Sequence, residues 1–284
     1  MLLGRRAACA CLASLLSVAG CKDRDAAASE RAGPALERLL PLVERDCAQV
    51  REGLPEGAAK IAKLVDADPG TDLAGLQRAI AGARASVHKL VVAKSTFFVF
   101  ADAQGTVLRS EVDPDLAAGL VLPKEIPDLA RLFAPGAELV EAYGSSHGLR
   151  GVEKGRDAQW VVGAPVKDAS GALRGAFLSG WSLRRYAHYL EEDVRRWLSD
   201  QQADKSKPIP LAYVFVVMAD RAFGAPVTPD VNSEAVAKLE VVPKTRAAPW
   251  QGFIDVEGRR FAVAARAAPA MGAHVALVLL LSGV

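Results

Sequence analysis

The sequence predicts an α+β protein: antiparallel sheets with a long N-terminal helix, arranged as two tandem modules. Three observations predict this class. Apolar residues recur at spacings of three and four from Leu36 to Leu90, the period of helices packed on a core. Between Phe98 and Ser179 the apolar runs shorten and are broken by Asp, Ser and Gly, which marks strands joined by turns. After a Lys- and Pro-containing break near residue 207, the strand pattern starts again at Leu211.

With 284 residues, of which 51% are hydrophobic and 24% charged, the chain can build one large or two ordinary cores, which excludes disorder over its whole length. Arg5-Arg6 and the apolar run Ala7–Ala19 have the form of a secretory signal over residues 1–20, too short to span a bilayer. Val18-Ala19-Gly20-Cys21 resembles the lipobox of bacterial lipoproteins, where the cysteine becomes the acylated N-terminus. That resemblance implies a chain held by Cys21 at the periplasmic face of a bacterial membrane, with an ordinary secretory signal as the alternative. Lys plus Arg number 35 and Asp plus Glu 33, so loss of Arg5 and Arg6 balances the charge, and nothing points to nucleic acid. Cys9 and Cys11 leave with the signal, and Cys47, on an apolar helical stripe, is expected to be a core residue.

Residues 21–33 are small, polar and charged, and are expected to be a flexible tether. An N-terminal helical region follows over 34–92. Its first stripe is Leu36, Leu39, Leu40, Val43, Cys47 and Val50; Pro41 predicts a kink or break. Gly53-Leu54-Pro55 predicts an end, with a shorter helix over Ala58–Val65. Thr71 or Asp72 should cap a further helix carrying Leu73, Leu76, Ile80, Ala83, Val87 and Leu90.

The first sheet module is expected over 93–182. Phe98–Ala101 and Thr106–Ser110 flank the turn Asp102-Ala103-Gln104-Gly105, and short helical stretches are expected at Asp115–Leu120 and Asp128–Phe133. Leu139–Tyr143 reads as a strand and Gly144–Asp157 as a loop. Trp160–Val166 and Ala172–Ser179 form a hairpin over Lys167–Gly171 that runs into a helix at Ser182. A connecting helix and linker fill 183–207. The second α/β module, 208–284, should hold strands at Leu211–Met218, Phe253–Val256, Arg260–Ala265 and Val275–Leu281, and a helix capped by Ser233.

This order of a long helix, two strands, short helices, a loop and three closing strands is similar to that of PAS-like sensor folds. FFVFADAQGTVLRSEVD followed by WVVGAPVKDASGALRGAFLSGWSL resembles the extracytoplasmic Cache family of bacterial sensor domains, and the second module suggests a double Cache arrangement. The resemblance implies a small molecule held between the sheet and the segments crossing it. The candidate ligand-binding residues are Phe98, Phe100, Arg109, Tyr143, Arg150, Trp160, Asp168 and Trp181, with Arg109 or Arg150 pairing a carboxylate; core packing is the competing account for each. The amino-acid-binding motif of some Cache domains is not recognisable here, so no ligand class is carried over.

No cofactor is expected, and His88, His147, His188 and His274 form no close metal pair. Gly144-Ser145-Ser146-His147-Gly148 has the Gly-x-Ser-x-Gly spacing of a hydrolase elbow, but that motif needs a helix directly behind the serine, and Leu149–Gly155 is a poor helix. The expectation is therefore a sensor lipoprotein that binds a small molecule and signals to or assembles with a partner protein, and is not an enzyme. A ligand-free envelope interaction protein is the alternative, and a hydrolase using Ser146 comes last.

Overall fold

The computed structural model describes residues 24–64, 70–149, 156–204, 206 and 208–283. The expected signal, Cys21 and Arg150 lie outside the described residues. The chain divides into two compact units: Leu42–Tyr186, here the first module, and the residues up to Pro41 together with Ala187–Val284, the second.

In the first module, α2 (Leu39–Leu64, following α1 at 24–37), α3 (Leu73–Ser86) and α4 (His88–Val92) precede β1 (Phe97–Asp102) and β2 (Val107–Ser110). A crossing segment with α5 (Leu122–Glu125) and a 3₁₀ turn (Pro127–Phe133) leads to β3 (Val140–Ser146), β4 (Asp157–Lys167) and β5 (Leu173–Ser182). The sheet order is β2-β1-β5-β4-β3, antiparallel throughout. β4 and β5 are buried along nearly their whole length, because one face meets helices and the other meets the crossing segment. That double cover explains their unbroken apolar runs, which would otherwise alternate with polar residues.

α2 runs straight through the end expected at Gly53-Leu54-Pro55, and Pro55 sits inside it. Leu54, Ala58 and Ile61 are buried at helical spacing on both sides of the proline. Burial at about 1.5–3 kcal/mol per large aliphatic side chain outweighs the roughly 3 kcal/mol cost of an internal proline. The glycines serve close approach: a Cβ on Gly53 would lie 2.6 Å from Leu90 Cδ2, and one on Gly57 2.7 Å from Phe177 Cε1. Asp72 caps α3 by accepting from Gly75 N at 2.7 Å, as expected.

The stretch Asp115–Leu120 is not the expected helix. The Asp115 carboxylate accepts from the backbone N–H groups of Ser110, Ala117 and Ala118, and Gly119 at φ +82° turns the chain so that Leu120 O can accept from Val107 N. A side chain that takes backbone donors in this way competes with helix formation.

In the second module, α1 and most of α6 (Leu183–Gln201) accompany β6 (Ala212–Met218), β7 (Arg221–Gly224), α7 (Asp230–Ala237), α8 (Val241–Lys244), β8 (Trp250–Val256), β9 (Arg259–Ala267), a 3₁₀ turn (Pro269–Met271) and β10 (Val275–Ser282). The order β7-β6-β10-β9-β8 repeats that of the first sheet strand for strand. Central β10 is buried at every residue, whereas edge strand β8 alternates exposed and half-buried positions.

From residue 24 the expected tether is helical. Ala28, Ala32, Ala35 and Leu36 make a buried stripe on α1, with ion pairs from Asp25 to Arg260 and from Glu37 to Arg266. The break falls at Arg38, which puts Pro41 in the first turn of α2, where its missing N–H costs nothing. Ser233 lies inside α7 and does not cap it, since the helix already starts behind Pro229.

The glycines of the first module give a paired prediction. Gly57→Ala should destabilise the protein by about 1–3 kcal/mol through overpacking against Phe177. Gly82→Ala, in α3 with nothing within 4 Å of a new Cβ, should stabilise it by about 0.5–1 kcal/mol. Chemical denaturation midpoints of the two variants check both signs.

Candidate functional site

The pleat assigns each residue of the first sheet to one of two covered faces. Phe97, Val99 and Ala101 share one face with Val161, Ala142, Ala176 and Leu178, beneath Leu122, Ile126, Leu129 and Leu132 of the crossing segment. Phe98, Phe100, Phe177, Trp160, Trp181 and Tyr143 point to the other, helix-covered face, as their cross-strand pairing requires.

On that helix face the aromatics are fastened. The Trp160 and Trp181 rings lie 4.0 Å apart, and Trp181 stacks on Tyr186 at 4.3 Å. Arg51 of α2 binds both oxygens of Glu141 at 2.7 Å, and the Trp160 indole N–H donates to the same carboxylate at 2.6 Å. Tyr186 donates to Asp46, whose pKa is raised by burial despite Arg45 beside it. Burial also raises the phenol pKa of Tyr143 and pushes the Cys47 thiol up to about 12, which makes Cys47 an inert core residue.

A cavity of about 270 Å³ opens on the opposite, crossing-segment side. Its apolar lining includes Phe97, Val99, Leu116, Ala117 and Leu149; its polar lining is Ser110, Asp113, His147 and Arg185. These residues come from the ends of β1 and β2, the loops after β2 and β3, and the first turn of α6. The wall at 111–113 is clamped to α3. Arg84 donates to both oxygens of Glu111 at 2.7 and 2.8 Å, and Gln77 Nε2 donates to Glu111 O and to Asp113. Arg109 completes the clamp through Gln77 Oε1, Asp113 and Asp115. The hydrogen bonds from Gln77 and Arg109 hold the Asp113 carboxyl below its usual range. His147, in the lining, lies 3.5 Å from the Glu125 carboxylate, which pairs with Arg156 at 3.1 Å.

Of the seven described residues among those singled out from the sequence, only Phe98 reaches this cavity, and its ring stacks on Phe177 beneath the Arg84 guanidinium. Phe100, Tyr143, Trp160 and Trp181 pack under the helices. Arg109 braces the wall from the helix side. Asp168 organises the β4–β5 turn, accepting from Ser170 N and Oγ, Ala172 N and Arg174. The cavity residues overlooked were Ser110, Asp113, His147, Leu149 and Arg185. Their available signal was position: each stands at or shortly after the end of a strand or at a helix start, where loops gather at one end of a sheet.

Ser146 is buried in an antiparallel strand, its Oγ accepts from Gly148 N and Leu149 N, and bends rather than a helix follow it. The geometry of a nucleophile elbow is not met. Among the described residues no helix is long and apolar enough to cross a membrane.

No family model and no curated protein sequence matches the chain. Solved structures do. The extracellular domain of vpHK1S-Z8, named as a histidine kinase, superimposes with a TM-score of 0.54 at 8% identity, over 92% of this chain and 93% of that one. The ligand-binding domain of the Pseudomonas aeruginosa PAO1 amino acid chemoreceptor PctB, in complex with L-Gln, gives 0.51 at 14% identity and 88% of each chain. An extracellular ligand binding receptor from Desulfohalobium retbaense DSM5692 gives 0.51 at 11% identity, over 88% of this chain, which spans 39% of that receptor. What is shared at these identities is the fold: two antiparallel five-stranded sheets and a long N-terminal helix, the architecture of these extracellular and ligand-binding domains.

Asp168 gives a pH prediction. The Ser170 hydroxyl, the Ala172 and Ser170 N–H groups and Arg174 hold its carboxyl down at about 2, below an unfolded value of about 3.9. A depressed carboxyl contributes stability that is complete above the unfolded pKa and is lost as pH falls toward the folded one. The gap in unfolding midpoint between wild type and Asp168→Asn should therefore hold constant above pH about 5 and narrow between about 4 and 2. Denaturant titrations across that range measure it.

Proposed function

We propose that the chain is an extracytoplasmic sensor lipoprotein, anchored through Cys21 at the periplasmic face of a bacterial membrane, which binds a small polar metabolite in the first module and passes its occupancy to a partner protein. The observation that supports this reading best is the cavity itself. It opens on the crossing-segment side of the sheet, with Phe98 the one packed aromatic of the helix face in its described lining, and its wall is clamped to α3 by Gln77 and Arg84. At about 270 Å³ it suits a metabolite, being just under the roughly 300–1,000 Å³ of sites for drug-sized ligands. Asp113 and Arg185 set charges of opposite sign in its lining, which complements a zwitterion, and the chemoreceptor PctB was solved with the zwitterion L-Gln. The ligand is assigned to the first module because the equivalent face of the second sheet is filled by Phe215, Phe261, Val241 and Leu280 among others.

A thermal-shift screen of amino acids and related small metabolites tests the binding half. A ligand at a hundredfold its Kd should raise the melting temperature by about 5–10 °C, and Asp113→Ala and Arg185→Ala should each diminish the shift. A screen without a single binder would leave the ligand-free interaction protein as the better account. Labelled palmitate tests the anchor: Cys21→Ser should abolish incorporation and move the protein from the membrane to the soluble periplasmic fraction, and labelling that persists in the variant would exclude Cys21 as the acylated residue.

A further inference from the structure

The second module has a cavity of its own, of about 470 Å³, lined by α1, the end of α6, the loop that follows it and the end of β10. α1 contributes Arg24, Ala27, Ala28 and Arg31, whose spacing of three, four and seven puts all four on one side of the helix. Between the two arginines the helix offers only methyl groups, which leave the space unfilled. The arginine positions lie two turns apart, roughly 10.5 Å along the axis, a gap that two long side chains can close from both ends. Both are exposed, and neither guanidinium has an ion pair or hydrogen bond among the described residues. Arg260 and Arg266 of the same module, by contrast, pair with Asp25 and Glu37 of α1.

The rest of the lining has one acid and one hydroxyl placed to matter. Asp204 is already engaged, its Oδ1 accepting from Ser206 N and Oγ at 3.0 and 2.7 Å. Ser282 accepts from Leu211 N at 2.9 Å, which leaves its own O–H to donate. Two arginines against one carboxylate give the described lining a net positive charge, and Leu198, Pro210 and Leu281 give it an apolar side. Guanidinium groups bind oxyanions through parallel N–H bonds, so this combination suits a phosphate ester with an apolar body. Position selects among such esters. Arg24 stands three residues after Cys21, and three residues of chain reach at most about 11 Å, so acylation at Cys21 brings Arg24 within reach of the headgroup layer. We infer that this cavity binds the phosphate of an anionic phospholipid, with Arg24 and Arg31 as its ligands, and so fixes how the second module is set on the membrane surface. For the place of the membrane, the inference rests on the anchored reading above.

Vesicle co-sedimentation tests it, with the unacylated mature chain from Lys22, which keeps every described residue. At about 0.1 M salt, where long-range attraction is screened beyond roughly 10 Å, vesicles of phosphatidylcholine with about 30% phosphatidylglycerol should bind at least ten times more tightly than phosphatidylcholine alone. The double variant Arg24→Gln/Arg31→Gln should lose at least tenfold, with its melting temperature unchanged because both side chains are exposed. Arg246→Gln removes an equally exposed arginine of the same module from outside the cavity lining, and should lose less than twofold. An equal loss in Arg246→Gln would mean attraction by overall charge and would overturn the inference. Inorganic phosphate or glycerol 3-phosphate raising the melting temperature through the two arginines, without vesicle binding, would overturn it in favour of a free phosphate compound. Palmitate labelling at Cys21 without a preference for phosphatidylglycerol would sink this inference and leave the anchor standing. Vesicle binding through the two arginines without labelling would remove the anchor and keep the headgroup site.

Discussion

The first module depends on the packing of α2 against the sheet at backbone distance. Gly57 places the helix where even a methyl group would strike Phe177, and Gly53 does the same for Leu90. With no side chains at those two positions, the aromatic rings of the helix face fill the remaining space and are held in place by the Arg51–Glu141–Trp160 bonds. The consequence for function is a division of labour. One face of the sheet is committed to rigid packing, and the other, covered only by a crossing segment with a four-residue helix and a 3₁₀ turn, has room for a cavity. Short, irregular cover is easier to open than a packed helix, because less apolar area is lost when it moves.

That division also separates what the sequence made legible from what it hid. The β4–β5 hairpin, the strands at Phe253–Val256 and Arg260–Ala265, the long central strands and the modular repeat follow from turn chemistry and apolar runs, and the structure has them. β7 was missed: it has only four residues, and it follows a turn at Ala219-Asp220 in which Ala219 takes φ +54° without the usual glycine or asparagine. Helix limits were misjudged where a local signal met a larger burial term. Pro55 argued for an end, and Leu54 and Ile61 carried the helix through it.

The site was harder to read for a definite physical reason. In a sheet with one wet face, polar residues mark which side is which. Here both faces of β1, β4 and β5 are dry, so a strand such as Phe97–Asp102 carries no internal reference, and a choice of the large aromatics selects the packed face. Phe98, Phe100, Trp160 and Trp181 are large because a helix face needs volume. Phe97, Val99 and Gln159, one residue out of phase with them, face the crossing segment. The odd polar residue in an apolar run, Gln159 beside Trp160, was the available clue to phase. It shares the crossing-segment face with Val161 and is one residue out of phase with Trp160.

Asp113 links the two sides. Its carboxylate lines the cavity and at the same time accepts from Gln77 of α3 and from Arg109, whose guanidinium also reaches Asp115. A cationic group entering the cavity and drawn to Asp113 must share that carboxylate with both donors, and any weakening of those bonds loosens the wall from α3. The reverse holds with equal strength: whatever shifts α3 and removes Gln77 leaves Asp113 more available to a ligand, because coupling free energies between two sites are reciprocal. Arg84 and Glu111 hold the wall independently of Asp113, since Arg84 Nη1 donates to both oxygens of Glu111 and keeps residue 111 against the helix. On the proposed reading, occupancy is therefore registered as a change in how tightly α3 is held, and the apolar floor of the cavity need not move at all.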